Sequence, residues 1–510
     1  MRISRFGRHD RTARPEAARP EAAGSTGRAL ARYSLIQVVG KFLPGLVGFA
    51  VAAALTRLLA PEEYGNFGLA MAMAQMLALA AFAWLGLSIT RLATGRPKDP
   101  RLAAAVLAVF LTIAAASILC SAAVFLLPGG GGYARLAIAG AFGGVVLAWF
   151  DVRSAFLAAA LNFTGYLKLN LTRATIYAAV AIAAAYWFRS GLAVFAASGG
   201  AMLAACWLFP NASPARLAID RPSVRRLCAF GLPIAGSLVL FAMAGWTDRL
   251  VLGLQGGAAA VGFYAAAATI VQNTLQLAAS AIDSAAYPLA VIAFETGGHA
   301  ATVRQLQQNL VTLLTLIVPA ASGLCLLAPT IAQVLVGADY RTPVVTLTPL
   351  LAAAALIYAI RGNFVDHLFH LTGHTRPFLW IALVMAGVNL ATLLLLVPLY
   401  GYLGAGIANL ATAAAGLAHA STAARRIYAV PLPVREIAKI LLAAALMTAG
   451  IEGLPRATGA AGLILEILAG AAIYGAAAAM VNLLDLRRAA MALLFRRMRP
   501  SPVAGGPGER

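Results

Sequence analysis

The chain has 510 residues, 61% of them hydrophobic and 11% charged, with a formal charge of +21. Soluble domains carry about 25% charged and 45–50% apolar residues, so the composition excludes a water-soluble globular protein. The basic excess sits in the tails and in alternate loops without any nucleic-acid motif, which ties it to membrane orientation and not to nucleic acid.

The first 32 residues hold eight arginines (Arg2, Arg5, Arg8, Arg11, Arg14, Arg19, Arg28, Arg32) and no apolar signal-peptide core. They read as a disordered cytoplasmic tail. Apolar runs broken by charge, proline and glycine then predict fourteen spans, near 34–58, 65–89, 103–127, 133–152, 170–188, 191–209, 227–252, 260–284, 307–328, 342–360, 377–397, 401–423, 434–451 and 460–484. Each is long enough, within a few residues, to cross about 30 Å of hydrocarbon as a helix. The alternating ten-residue pattern of a membrane barrel is missing, which leaves an all-α polytopic fold. Five more arginines follow within residues 487–499, a second basic tail.

The loops test the order of the spans. Those expected in the cytoplasm carry Arg91, Arg96, Lys98 and Arg101, then Lys168, then Arg216, Arg221, Arg225 and Arg226. Further on they carry Arg304, Arg376, Arg425, Arg426, Arg435 and Lys439. The opposite loops are assigned only Arg57, Arg135, Arg189, Arg249, Arg341 and Arg456. Such an asymmetry places both termini in the cytoplasm.

Four short matches recur in register. Thr56-Arg57-Leu58 answers Asp248-Arg249-Leu250, and Gly65-Asn66-Phe67 answers Gly262-Phe263-Tyr264. Leu127-Pro128 answers Ala328-Pro329, and Thr164-Gly165 answers Thr372-Gly373. Offsets growing from 192 to 208 imply two homologous six-helix halves related by an axis along the membrane normal. The expected organisation is a tail (1–32), a first lobe (33–210, spans 1–6), a second lobe (211–424, spans 7–12), an appended pair (425–485, spans 13 and 14) and a basic tail (486–510).

Polar residues inside the spans are the candidate site. In span 8, Gln272, Gln276, Ser280, Asp283 and Tyr287 fall within about 80° of one another on a helix, a stripe suited to a hydrated cavity or to interhelical hydrogen bonds. In span 1, Ser34, Gln37, Lys41, Gly45 and Gly48 form a similar stripe. An unpaired Lys41 ammonium there costs about 2.5–3.5 kcal/mol unless it meets a cavity, a partner or the surface. Asp283 is a candidate partner for Lys41 or for a coupling ion. Asp248 and Arg249, with Arg57 at the matching place, are expected at the ends of spans 7 and 1, suited to phosphate contact, to gating or to interfacial anchoring.

His367, His370 and His374, beside Arg361 and Asp366 at the end of span 10, read as interfacial residues and not as a metal site. Pro44, Pro233, Gly236 and Pro398 are expected bend points, and Gly140 with Gly144 a close helix contact. The four widely spaced cysteines fit neither a disulfide framework nor a zinc site. Phosphate-loop, zinc-protease and serine-hydrolase signatures are missing, and Gly40-Lys41 lacks the rest of a phosphate loop, so no enzyme and no cofactor is expected.

The stretch Ala54-Leu55-Thr56-Arg57-Leu58-Leu59-Ala60-Pro61-Glu62-Glu63-Tyr64-Gly65-Asn66-Phe67 resembles the junction of spans 1 and 2 in bacterial polysaccharide flippases. These are the oligosaccharide-lipid branch of the MATE-containing exporter superfamily. Asp248-Arg249, Gly262-Phe263-Tyr264-Ala265-Ala266-Ala267 and Val397-Pro398-Leu399-Tyr400-Gly401-Tyr402-Leu403-Gly404-Ala405-Gly406-Ile407-Ala408 add to it. The resemblance implies two six-helix lobes around a cavity that opens alternately to either side of the bacterial inner membrane. It also implies translocation of an undecaprenyl-pyrophosphate-linked oligosaccharide, a precursor of lipopolysaccharide or exopolysaccharide. Implied partners are that substrate, membrane lipids, and the polymerase and glycosyltransferases of the same pathway. A MATE-type drug or cation antiporter is the first alternative, and a membrane-embedded glycan polymerase or ligase the second.

Overall fold

The computed structural model describes residues 43–93, 99–123, 131–209, 220–374, 376–454 and 459–483, and among these residues the secondary structure is helical throughout. In chain order the helices are α1 (Leu43–Leu58), α2 (Pro61–Ala93), α3 (Pro100–Ala123), α4 (Gly131–Ala159), α5 (Phe163–Phe188) and α6 (Gly191–Leu208). A helical stretch from Arg221 to Thr296 is broken at Gly257 (φ 79°, ψ 171°), giving α7 (221–256) and α8 (258–296). There follow α9 (Gly298–Leu326), the short α10 (Ala328–Leu335), α11 (341–372), α12 (Arg376–Tyr400), α13 (Tyr402–Ile427), α14 (Val434–Glu452) and α15 (Gly459–Met480).

A helix therefore lies at each of the fourteen predicted positions, with α10 in addition. Among the described residues, eleven helical runs are long and apolar enough to cross a membrane. One of them, Ile234–Thr296, holds both spans 7 and 8, while α1 and α14 fall outside the eleven, so these lengths alone do not fix the number of crossings at fourteen. Exposed aromatic side chains sit at helix ends: Tyr186, Trp187 and Phe188 close α5, Trp207 closes α6, and Trp380 opens α12. Amphipathic rings of this kind settle at the headgroup level of a bilayer. The protein is a multi-pass membrane protein.

Several helices overrun their predicted ends. The α2 helix starts at Pro61, whose fixed φ suits a first helical position, with Glu62 and Glu63 in the first turn where the helix dipole favours acid. The α8 helix continues to Thr296 and α11 to Thr372. Hydropathy marks only the apolar part of a helix, whereas hydrogen bonding carries on into its polar flank. The expected bend at Pro233 and Gly236 is not a break, since α7 is continuous through both. Two five-residue π-helical turns, Ala78–Phe82 in α2 and Arg361–Val365 in α11, had no counterpart in the sequence reading.

The two halves meet in a reciprocal crossing of α2 and α8. A Cβ built on Gly65 would lie 1.7 Å from the Ala258 carbonyl oxygen, and one built on Gly262 would lie 2.1 Å from that of Pro61. Residues 61 and 65 are each 197 positions before 258 and 262, the offset of the Gly65/Gly262 sequence match. The repeat is thus visible as a pseudo-twofold contact in which backbone touches backbone, possible because neither position carries a side chain. Next to it, the Tyr340 hydroxyl donates to the Leu59 carbonyl at 3.1 Å, and Gly337 packs on the Thr56 carbonyl. The Tyr64 and Tyr340 rings meet edge to face at 5.8 Å.

Within the first half α4 packs on α2 through Gly140 and Gly144, whose Cβ atoms would lie 2.5 Å from Met73 Cβ and 2.9 Å from the Ala74 carbonyl, the close contact expected of that pair. In the second half α13 packs on both α11 and α12, all three lie against the α7–α8 stretch, and α14 and α15 pair with one another and lie against α9 and α10.

Candidate functional site

On an otherwise apolar helix, a polar stripe must find water or polar neighbours. Gln272, Gln276, Ser280 and Asp283 of α8 do so by lining one cavity of about 420 Å³, walled also by α11 and α13. Opposite them stand Tyr358, Arg361 and Asn363 of α11 and Asn409 of α13, with Tyr264 at one end of the α8 wall. The π-helical turn adds a residue to the helical repeat, and Arg361, Gly362 and Asn363, its first three residues, all line this cavity. The Asn363 side-chain amide donates back to the Ala359 carbonyl at 3.0 Å.

The charges of the cavity are held in pairs. Asp283 Oδ1 lies 2.9 Å from His367 Nε2, with the Asp283 side chain 35% exposed and that of His367 6% exposed. The Tyr287 ring, last of the predicted stripe, packs on His367 with centroids 4.7 Å apart. Arg361 Nε lies 3.6 Å from Asp366, and its guanidinium sits 5.9 Å from the Tyr358 ring and 6.0 Å from that of Phe241. It also contacts the Met385 sulfur.

These placements bear on three expectations. Asp283 lies beside His367, 84 residues on in sequence, while its expected partner Lys41, like Gln37, lies outside the described residues. The three histidines are not all interfacial: His367 is buried at 5% exposure. Among the described residues no three potential ligands gather as a metal site. Asp248 and Arg249 do not close α7, which stays helical through its Gly-rich end to Gly256, so they lie about two turns deeper. There they are 2% and 7% exposed. Arg249 Nη1 is 3.4 Å from Asp248, its guanidinium is 4.8 Å from the Trp246 ring, and the Tyr264 hydroxyl donates to Asp248. This network lies behind the cavity wall, joined to it through Tyr264.

Arg57, expected to match Arg249, instead donates to the Val334 carbonyl at the end of α10 and so ties the end of α1 to the second half. Sequence reasoning did not place Tyr264, Tyr358, Asn363 or Asn409 in the site. The available signal was Arg361-Gly362-Asn363, three non-apolar residues in an apolar run that was instead taken as the end of a span.

A second, more open cavity of about 770 Å³ lies between α8, α9 and α14, lined by Arg304, Gln305, Gln308, Asn309, Glu436 and Lys439. Lys439 pairs with Glu436 at 2.8 Å, and Asn309 donates to the Ala286 carbonyl of α8, also at 2.8 Å.

The architecture has known counterparts. A structure titled lipid II flippase MurJ, inward closed conformation, superposes with a TM-score of 0.69 at 13% identity, over 88% of this chain and 98% of that one. An inward-facing multidrug resistance MATE family transporter of the MOP superfamily gives 0.58 at 14% identity, over 77% and 98%. A MOP superfamily transporter from Pyrococcus furiosus, described as having a binding pocket of reversed polarity, gives 0.53 at 16% identity, over 78% and 96%. At such identities the likeness establishes the fold, which is that of MurJ and the MATE transporters. No curated protein matches the chain. A family model described as "Polysaccharide biosynthesis protein" matches residues 54–345, more than half of the sequence and including the α2–α8 crossing, and the chain belongs to that polysaccharide biosynthesis family.

Proposed function

We propose that the protein is a flippase that carries an undecaprenyl-pyrophosphate-linked oligosaccharide across the bacterial inner membrane, with both termini in the cytoplasm. The observation that carries this reading is the polar cavity walled by α8, α11 and α13 inside a two-lobed membrane fold of a polysaccharide biosynthesis family. A glycan cannot cross hydrocarbon unaided, because each hydroxyl leaving water without a partner costs several kcal/mol. The side-chain amides of Gln272, Gln276, Asn363 and Asn409 offer replacements for the water that it loses.

In this reading the two lobes rock about the α2–α8 crossing, exposing the cavity to one side and then the other. The substrate is supplied by glycosyltransferases and consumed by a polymerase of the same pathway. The α14–α15 pair favours this reading over a drug antiporter. The likeness to the lipid II flippase extends over 88% of the chain and that to the multidrug transporter over 77%.

The test is deletion of the gene followed by assay of surface polysaccharide and of lipid-linked precursors. Loss of the polysaccharide with accumulation of precursor on the cytoplasmic leaflet is expected. Unchanged glycan with altered drug susceptibility would replace this reading with the antiporter, and a truncated glycan would replace it with the polymerase or ligase.

A further inference from the structure

The cavity walled by α8, α11 and α13 presents its charges unevenly. Of the neighbouring Asp283 and His367, Asp283 lines the cavity with its side chain 35% exposed, and the imidazole is withdrawn at 6%. Arg361 is 13% exposed, lies 3.6 Å from Asp366 and is flanked by two aromatic rings. Among the described residues of the lining, Arg361 and Asp283 are the two charged ones, and Arg361 has the Asp366 carboxylate 3.6 Å from its Nε. Arg361, Asp366 and Asp283 together carry a formal charge of minus one. The remaining polar lining consists of side-chain amides and hydroxyls, which both donate and accept, as sugar hydroxyls do.

A sugar carboxylate entering here would lose water, meet among the described lining residues only the Arg361 cation beside Asp366, and face the Asp283 carboxylate. Burial of an unpaired charge and like-charge proximity both oppose it. An uncharged sugar meets neither penalty, and a volume of about 420 Å³ is in the range of small-molecule sites.

Resting on the flippase reading, we propose that this cavity is a glycan subsite selective for uncharged sugars, and that it excludes glycans bearing uronic acids through the exposed Asp283 carboxylate. The assignment concerns the sugar and not the pyrophosphate, whose cations must be supplied elsewhere in the protein.

The experiment uses the full chain in proteoliposomes. Two polyprenyl-pyrophosphate probes of equal length, one bearing an uncharged hexose oligosaccharide and one the same oligosaccharide with a uronic acid, are followed from leaflet to leaflet. The uncharged probe is expected to cross about tenfold faster or more, the order set by one unit charge at cavity distances. Gln276→Lys, which adds an uncommitted cation to the wall, and Asp283→Asn, which removes the exposed charge, should each raise the rate of the uronate probe relative to the uncharged one. Either variant suffices should the other fail to fold.

Equal rates, or a faster uronate probe, in the wild-type protein would overturn the proposal and leave the flippase reading standing. So would a selectivity that neither variant changes. Transport of neither probe by the wild-type protein would count against the flippase reading itself, and this subsite would fall with it.

Discussion

The α2–α8 crossing makes a quantitative prediction. In Gly65→Ala the new methyl would sit 1.7 Å from the Ala258 carbonyl oxygen, and in Gly262→Ala 2.1 Å from that of Pro61. The obstacles are backbone atoms in regular helices, so no rotamer change relieves them. Ordinary contact at about 3.2 Å requires the helices to separate by roughly 1.5 Å in the first case and 1.1 Å in the second. Overpacking of this kind costs about 1–3 kcal/mol, less up to about 1 kcal/mol returned by alanine's higher helix propensity.

The two clashes lie across one contact, so separation forced by the first methyl makes most of the room for the second. The double variant should then cost clearly less than the sum of the singles, with a coupling of about 1 kcal/mol or more. The assay is a double-mutant cycle on thermal midpoint in detergent. Gly200→Ala and Gly245→Ala, whose methyls would meet nothing within 4 Å, serve as controls expected to be neutral or stabilising. Additive losses at positions 65 and 262, or losses no larger than in the controls, would refute the reciprocal contact.

The buried ion pair behind the cavity should be intolerant of half-removal: Asp248→Ala leaves the Arg249 guanidinium, 7% exposed, without its carboxylate. A loss of about 3–5 kcal/mol is expected, seen as loss of folded protein on size exclusion, with Asp248→Asn much milder. Tyr340→Phe removes a hydroxyl that donates to the Leu59 carbonyl at 3.1 Å between the two halves, and should lower stability by about 1 kcal/mol in the same thermal assay.

Ahead of the apolar part of α7, Asp220 caps the helix by accepting from the Ser223 amide at 3.0 Å. Its hydrogen bonds to Ser223, side chain first, hold its carboxyl below the ordinary 3.8, with Arg101 and Arg226 adding to the effect. A lowered folded value means that the cap is fully present above the ordinary carboxylate range and is lost as pH falls through the folded value. Hydrogen exchange at the start of α7 should therefore accelerate at acid pH, and Asp220→Asn, which keeps an acceptor, should flatten that dependence.

What the sequence revealed and what it hid divide by range along the chain. The α8 stripe was legible because five residues at helical spacing must share a face whatever lies opposite, and four of the five line one cavity while Tyr287 packs on His367. Gly65 and Gly262 were legible as a repeat because each is the fifth residue of a helix that follows a turn or break, a local requirement that recurs in each half. The Asp283–His367 pair was not, since 84 positions separate its members and no periodicity relates α8 to α11. Asp248 and Arg249 were misplaced because the glycines after them resemble a turn, while the break occurs only where Gly257 takes a positive φ.

The same division separates two kinds of function. On the flippase reading proposed above, the crossing, made of buried backbone contacts, serves the movement of the halves, so substitutions there should change the rate of transport for every substrate alike. The cavity is made of side chains brought together from α8, α11 and α13, so substitutions there should change which substrate is carried. A variant at position 65 or 262 that altered selectivity, or one at Gln276 that slowed all cargoes equally, would contradict that assignment of moving part and reading part.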